Sequence, residues 1–199
     1  MHITFAAASV AALASMLPSS FSMLSAVQDG AKSSAPSAPA VKAPASAEPP
    51  SPKASPLDRF KGLKGTWDAD IDGDGAPDGT VEYRVIGAGS AVAETLFAGT
   101  EHEMVTVYHM NGADLMCTHY CAAGNQPRLK ATRIEKDSVA FAMIDITNLT
   151  DPKGMHMNAA VFTFNADGTV RSVWQSVADG KPGHTADFRL TRRKSVPGT

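Results

Sequence analysis

The chain lacks most of the signals that announce a chemistry. It has two cysteines in 199 residues, with no Cys-x-x-Cys pair and no His-Glu-x-x-His run. Neither a structural zinc site nor a helix-borne catalytic zinc is therefore indicated. No nucleophile motif stands out either. Charged residues make up 19% of the chain, 18 basic against 20 acidic, and no basic stripe interleaved with aromatics occurs. Nucleic acid is excluded as an expected partner. No apolar run reaches the roughly 20 residues that a membrane-spanning helix needs.

What is present falls into blocks. Ile3 to Leu17 are almost wholly apolar or small, and Pro18 closes the run. That length suits the core of a signal peptide, with cleavage after Ser22 or Ala26, although the start carries no Lys or Arg. No Cys follows the run, so a lipid anchor is not indicated. Residues 1–26 are thus read as a signal peptide, and the chain as exported, periplasmic or extracellular, without a stable membrane span after cleavage. Residues 27–56 read as an Ala/Pro/Ser-rich disordered linker. Such a stretch has too little apolar surface to offset its chain entropy. Residues 57–193 form the folded domain, and 194–199 a tail.

The domain reads as all-β. Alternating segments fall near residues 65–72, 79–86, 90–97, 103–110, 113–121, 127–135, 138–146, 156–164, 169–177 and 184–192. Asn111-Gly112, Asp167-Gly168 and Asp179-Gly180 mark tight hairpins, because these residues tolerate positive φ. Pro56 to Lys64 alone looks helical, as a short plug before the first strand. About ten short strands joined by hairpins must hide their edges. A single antiparallel up-and-down barrel does so, with a β-sandwich as the alternative.

Gly65-Thr66-Trp67 opens the first strand, and Asp187-Phe188-Arg189-Leu190-Thr191-Arg192 closes the last. This pairing resembles the lipocalin-like (calycin) barrels, in which a Gly-x-Trp near the start is covered by an Arg of the final strand. The resemblance implies that Arg189 or Arg192 lies over Trp67. Glu101-His102-Glu103-Met104, Thr118 to Arg128, Met155-His156-Met157 and Asp179-Gly180-Lys181 also look like a family of uncharacterised exported bacterial lipocalin-like proteins. That similarity implies a barrel with a polar cavity and no settled activity. The haem-binding nitrobindin barrels are similar by fold alone.

Strand parity suggests which side chains face the cavity. Phe188 and Leu190 carry His184 inward, and Phe162 and Phe164 carry His156. A turn centred on Asn111-Gly112 pairs Met110 with Ala113, Thr106 with Cys117 and Met104 with His119. Met104, Thr106 and Tyr108 then share a face with Leu115, Cys117, His119 and Cys121, and His102 lies opposite Cys121. A slip of one residue would instead turn Val105, Val107, His109, Met116, Thr118 and Tyr120 inward. Glu94, beside Val92 and Leu96, and Asp145 are candidate inward carboxylates. Trp67 and Trp174 read as core.

The candidate ligand-binding set is therefore His102, Tyr108, Cys117, His119, Cys121, His156, His184 and Glu94. The expected function is an exported protein holding a small amphiphilic or anionic ligand in a His-lined cavity. The alternatives are a metal- or haem-binding barrel, or an enzyme using cavity His with a carboxylate as acid and base. Cys117 and Cys121 are four apart, roughly 13 Å along an extended strand, which is too far for a disulfide. Asp70, Asp72, Asp74 and Asp78, with Gly75 between them, have the spacing of a Ca²⁺ loop. The position-12 Glu and the flanking helices of an EF-hand are missing.

Overall fold

The computed structural model describes residues 54–194. The stretches read above as signal peptide, linker and tail lie almost wholly outside the described residues. One short helix, α1 (Leu57–Lys61), precedes ten strands. They are β1 (Gly65–Asp70), β2 (Gly79–Ile86), β3 (Ala91–Leu96), β4 (Met104–Asn111) and β5 (Asp114–Tyr120). β6 (Gln126–Ile134), β7 (Ser138–Thr147), β8 (His156–Phe164), β9 (Val170–Ala178) and β10 (Lys181–Arg192) follow. Each strand pairs antiparallel with its sequence neighbours, and β10 returns to β1, so the barrel is closed. Closure leaves no open sheet edge, which resolves the choice against a sandwich. Among the described residues no helix is long and apolar enough to cross a membrane.

An up-and-down barrel puts alternate connections at the same end. Those at Gly87–Gly89, Gly112-Ala113, 135–137 and 165–169 lie at the end that α1 closes. Those spanning 71–78, 97–103, 121–125 and 148–155, with the tight Asp179-Gly180 turn, lie at the other. That second end is the mouth.

The plug is held by its aromatic residue. Phe60 is fully buried and stacks on Tyr108 with ring centroids 4.3 Å apart. It also meets Phe162 edge-on at 5.2 Å. Burying such a ring contributes about 1.5–3 kcal/mol, and each well-set aromatic pair roughly 0.5–1.5 more. Trp67 lies beneath, 2% exposed, its Nε1–H donating to the Leu63 carbonyl at 2.7 Å. The expected arginine is Arg192, whose guanidinium carbon is 4.3 Å from the Trp67 ring centroid. It also donates to the carbonyls of Lys64 (2.7 Å) and Gly62 (2.9 Å). Arg189 lies elsewhere, close against the backbone of Gly73.

The β4–β5 hairpin corrects the expected register. Asn111 pairs with Asp114, so the turn is Gly112-Ala113 rather than Asn111-Gly112. Gly112 alone takes positive φ there, at 60°, which suits a turn with Gly at its first central position. Tyr108 therefore pairs with Cys117, and Thr106 with His119. The change shifts the pairing by two positions, so every side chain keeps its face. Thr106, Tyr108, Leu115, Cys117 and His119 are all buried, while Tyr120 is half exposed.

Candidate functional site

A row of polar side chains crosses the barrel wall from β2 to β5. Tyr83, Glu94, Thr106 and His119 are successive cross-strand partners and all are buried. Glu94, 1% exposed, accepts from the Tyr83 hydroxyl at 2.8 Å and from the Tyr108 hydroxyl at 2.5 Å. The Thr106 hydroxyl lies on the neighbouring strand, opposite Glu94, and favours its charged form. Burial pushes the Glu94 carboxyl above its ordinary pKa, and the three hydroxyls pull part of the way back. Burial, reinforced by the Glu94 charge, holds both phenols far above their usual range.

The Thr106 oxygen lies 2.9 Å from Nδ1 of His119. The contact engages Nδ1, and its direction follows the tautomer of the ring. Nε2 is buried and has no protein partner, and neither has the Trp174 Nε1–H. The two rings are neighbours, with centroids 4.9 Å apart. Burial lowers the His119 pKa to about 4, so the ring is neutral at physiological pH.

Both rings line a small inner cavity of about 30 Å³, walled by Leu96, Met104, Met157, Ala186 and Phe188. Above it, at the mouth, lies an open recess of about 760 Å³ lined by Phe97, Thr100, His102, Met104, Ala122 and His184. Met104 is common to both and forms the floor of the outer space. Phe97 holds its place with a left-handed φ of 54°, and its ring covers Gly79, where a Cβ would come within 3.0 Å.

The expected imidazoles do not converge on one point. His119 faces the inner cavity. His102 and His184 are exposed and share the outer recess. His184 follows the alternation of Ala186, Phe188 and Leu190 and lines the outer recess, but at the mouth rather than in the inner cavity. His156 was expected inward by the parity of Phe162 and Phe164. A bulge between Met157 and Ala159 breaks that parity and places Met157 against the cavity instead. His156 is buried beside its own turn, Nδ1 2.9 Å from the Gly154 carbonyl.

Other candidates separate similarly. Glu94 and Tyr108 are internal and bonded to each other. Asp145 is exposed and forms a two-point ion pair with Arg128 across β6 and β7, which corrects its inward assignment. Cys117 is buried and Cys121 half-buried, and both are free thiols. Burial, with Glu94 nearby, raises the Cys117 thiol well above its ordinary pKa. Cys121 begins the 121–125 turn, beyond the end of β5. Tyr83, Thr106, Met157 and Trp174 complete the site without having been singled out for it. Tyr83 was legible in principle, since it alternates with Val81 and Val85. Met157 was not, because its orientation depends on a bulge.

The acidic loop lies at the mouth end. Asp70, Asp72 and Asp78 bring one carboxylate oxygen each within 4.8 Å of one another, and Asp74 stands outside that group. The carboxylates already accept backbone N–H groups: Asp78 from Ile71 at 2.7 Å, Asp70 from Gly73 at 2.6 Å, Asp74 from Ala76 at 2.7 Å. The Arg189 guanidinium supplies a cation beside the loop. These bonds account for the loop's shape, and the grouping by itself assigns no ion.

The architecture defines the class: a closed ten-stranded antiparallel barrel of general calycin-like form, plugged at one end and open at the other. No protein-family model matches the chain, and no curated protein matches it in sequence.

Proposed function

We propose that this chain is an exported, lipocalin-like binding protein that takes a small amphiphilic ligand, anionic at one end, into the mouth of its barrel. The outer recess carries this reading: a concave space of about 760 Å³, largely apolar, with two exposed imidazoles on its lining. Ligand sites are typically apolar hollows with a few placed polar groups, and the mouths of barrels are a usual place for them. Phe97, Met104 and Ala122 would take the apolar body. His102 and His184 would meet the acidic end through their ring nitrogens. Export rests on the apolar run from Ile3 to Leu17.

The test is calorimetric titration of the full chain with dodecanoate and, separately, with dodecanol. Saturable one-to-one binding of dodecanoate, tighter than that of dodecanol, is the expected result. Ala122→Trp, which fills the recess from an exposed position, should abolish it. Absence of saturable binding, or full binding by Ala122→Trp, would overturn the reading.

A further inference from the structure

We propose that the inner cavity is a site for one soft monovalent cation, Cu(I) or Ag(I), held by Nε2 of His119 and the thioether sulfurs of Met104 and Met157. The reading is independent of the amphiphile in the outer recess, because the two spaces differ in size and chemistry.

Size sets the first limit. A cavity of about 30 Å³ admits a body no larger than one or two waters, so an organic ligand does not fit there. The lining sets the second. Beyond His119 and Trp174 it offers two thioethers, from Met104 and Met157, and the inert side chains of Leu96, Ala186 and Phe188. Thioethers with an imidazole are soft donors, which select Cu(I) over hard divalent ions. The lining contains no carboxylate, so Ca²⁺ and Mg²⁺ find no oxygen cage.

The surroundings of His119 are those of a ligand held ready. A metal-binding imidazole commonly fixes its free lone pair by donating its other N–H outward. Here Nδ1 is held by the Thr106 hydroxyl at 2.9 Å. The other ring nitrogen, Nε2, is buried and has no protein partner. Glu94, in the same cross-strand row, is a buried carboxyl behind the site that is not itself in the cavity lining. The Trp174 ring, 4.9 Å from the His119 ring, adds an aromatic surface that attracts a cation when it meets the ring face. Met104 belongs to both spaces, so its flexible side chain can admit an ion from the recess.

The competing occupant is a single water, accepting from the Trp174 Nε1–H and donating to His119 Nε2. It would satisfy both nitrogens but would make no use of the paired thioethers. The two occupants are separable by experiment.

The full chain carrying Cys121→Ser, which removes the accessible thiol, is titrated anaerobically against Cu(I) held as its bicinchoninate complex. One equivalent of Cu(I) should leave the chelator, while Zn²⁺ added alone should not bind. Met104→Leu/Met157→Leu conserves volume and removes both sulfurs, so it should fold with little change in melting temperature. It should lower the Cu(I) affinity at least tenfold. His119→Gln should lower it similarly, and Cys117→Ala should leave it unchanged. X-ray absorption should show both sulfur and nitrogen neighbours. Failure to withdraw Cu(I), undiminished binding by the double Leu variant, or loss on Cys117→Ala would overturn the proposal.

Discussion

The Thr106 hydroxyl oxygen lies 2.9 Å from Nδ1 of His119, on the strand directly beside it. This one contact engages Nδ1 of a buried imidazole, while Nε2 has no protein partner. Thr106→Val keeps the shape and removes the bond, leaving Nδ1 of His119 unpaired in the interior. The expected cost is about 1–3 kcal/mol, read from urea unfolding. A change below about 0.5 kcal/mol would mean that the contact does not hold the ring.

His119 should make the protein sensitive to acid. Its folded pKa of about 4 lies below the ordinary value of 6.5. The unfolded chain therefore binds the proton more readily between those values. The stability tied to the neutral ring is fully present above pH 6.5 and is lost as pH falls toward 4. A shift of this size corresponds to roughly 3 kcal/mol. Glu94 acts in the opposite sense. Its folded pKa is raised, so the stability from holding its proton is full below the ordinary 4.5 and declines as pH rises through the folded value. Unfolding measured from pH 7 to pH 4 should show a drop that His119→Gln makes shallower. An identical slope in the variant would refute the assignment.

Glu94 anchors two phenols. Glu94→Ala strands the hydroxyls of Tyr83 and Tyr108 in the core and opens a void, at an expected cost of about 3–5 kcal/mol. Tyr108→Phe removes one donor and keeps the Phe60 stack, so about 1–2 kcal/mol is expected. The ordering of the two variants in chemical denaturation is the check, and a reversed order would show that packing dominates the network.

Arg192 joins the last strand to the plug. Arg192→Ala loses the contact with Trp67 and two bonds to the carbonyls of Gly62 and Lys64. About 2–3 kcal/mol should go with them. Arg192→Lys keeps the charge but not the planar fork, so it should recover less than half. Thermal unfolding of the two variants, compared with Arg189→Ala as control, tests this. The control should be nearly neutral.

The two thiols should differ in reactivity. Cys121 is half-buried at a turn, whereas Cys117 is buried and its thiolate strongly disfavoured. Iodoacetamide at pH 8 should modify Cys121 in the native protein and Cys117 only after unfolding. Peptide mass mapping distinguishes them. Equal native labelling would place Cys117 at an accessible surface.

The elements of the barrel were legible because period-2 alternation and turn residues are local. The Gly65-Thr66-Trp67 start and the arginine-bearing last strand were enough to anticipate the closing contact. The inward faces of β4 and β5 survived an error in the hairpin register because the error was an even number of residues. His156 was misplaced for the complementary reason. An irregular strand pairing lies between it and the aromatics used to fix its parity, and a bulge changes parity without a reliable local mark. Asp145 was turned inward by the same reliance on unbroken alternation. Its pairing partner β6 carries a register shift between Arg128 and Leu129.

The sequence alone determined an all-β chain of about ten strands, its short helical plug, and the residue types able to do chemistry. Those properties depend on backbone propensity and periodicity, which act over a few residues. The tertiary structure decided which polar groups meet. Tyr83, Glu94, Thr106 and His119 come from four strands, and they form one row only because the registers of three hairpins agree. Met157 and Trp174 reach the same cavity only because the barrel closes. A hydrogen bond or an unpartnered lone pair depends on distances of a few tenths of an ångström between distant segments, and no local pattern encodes those.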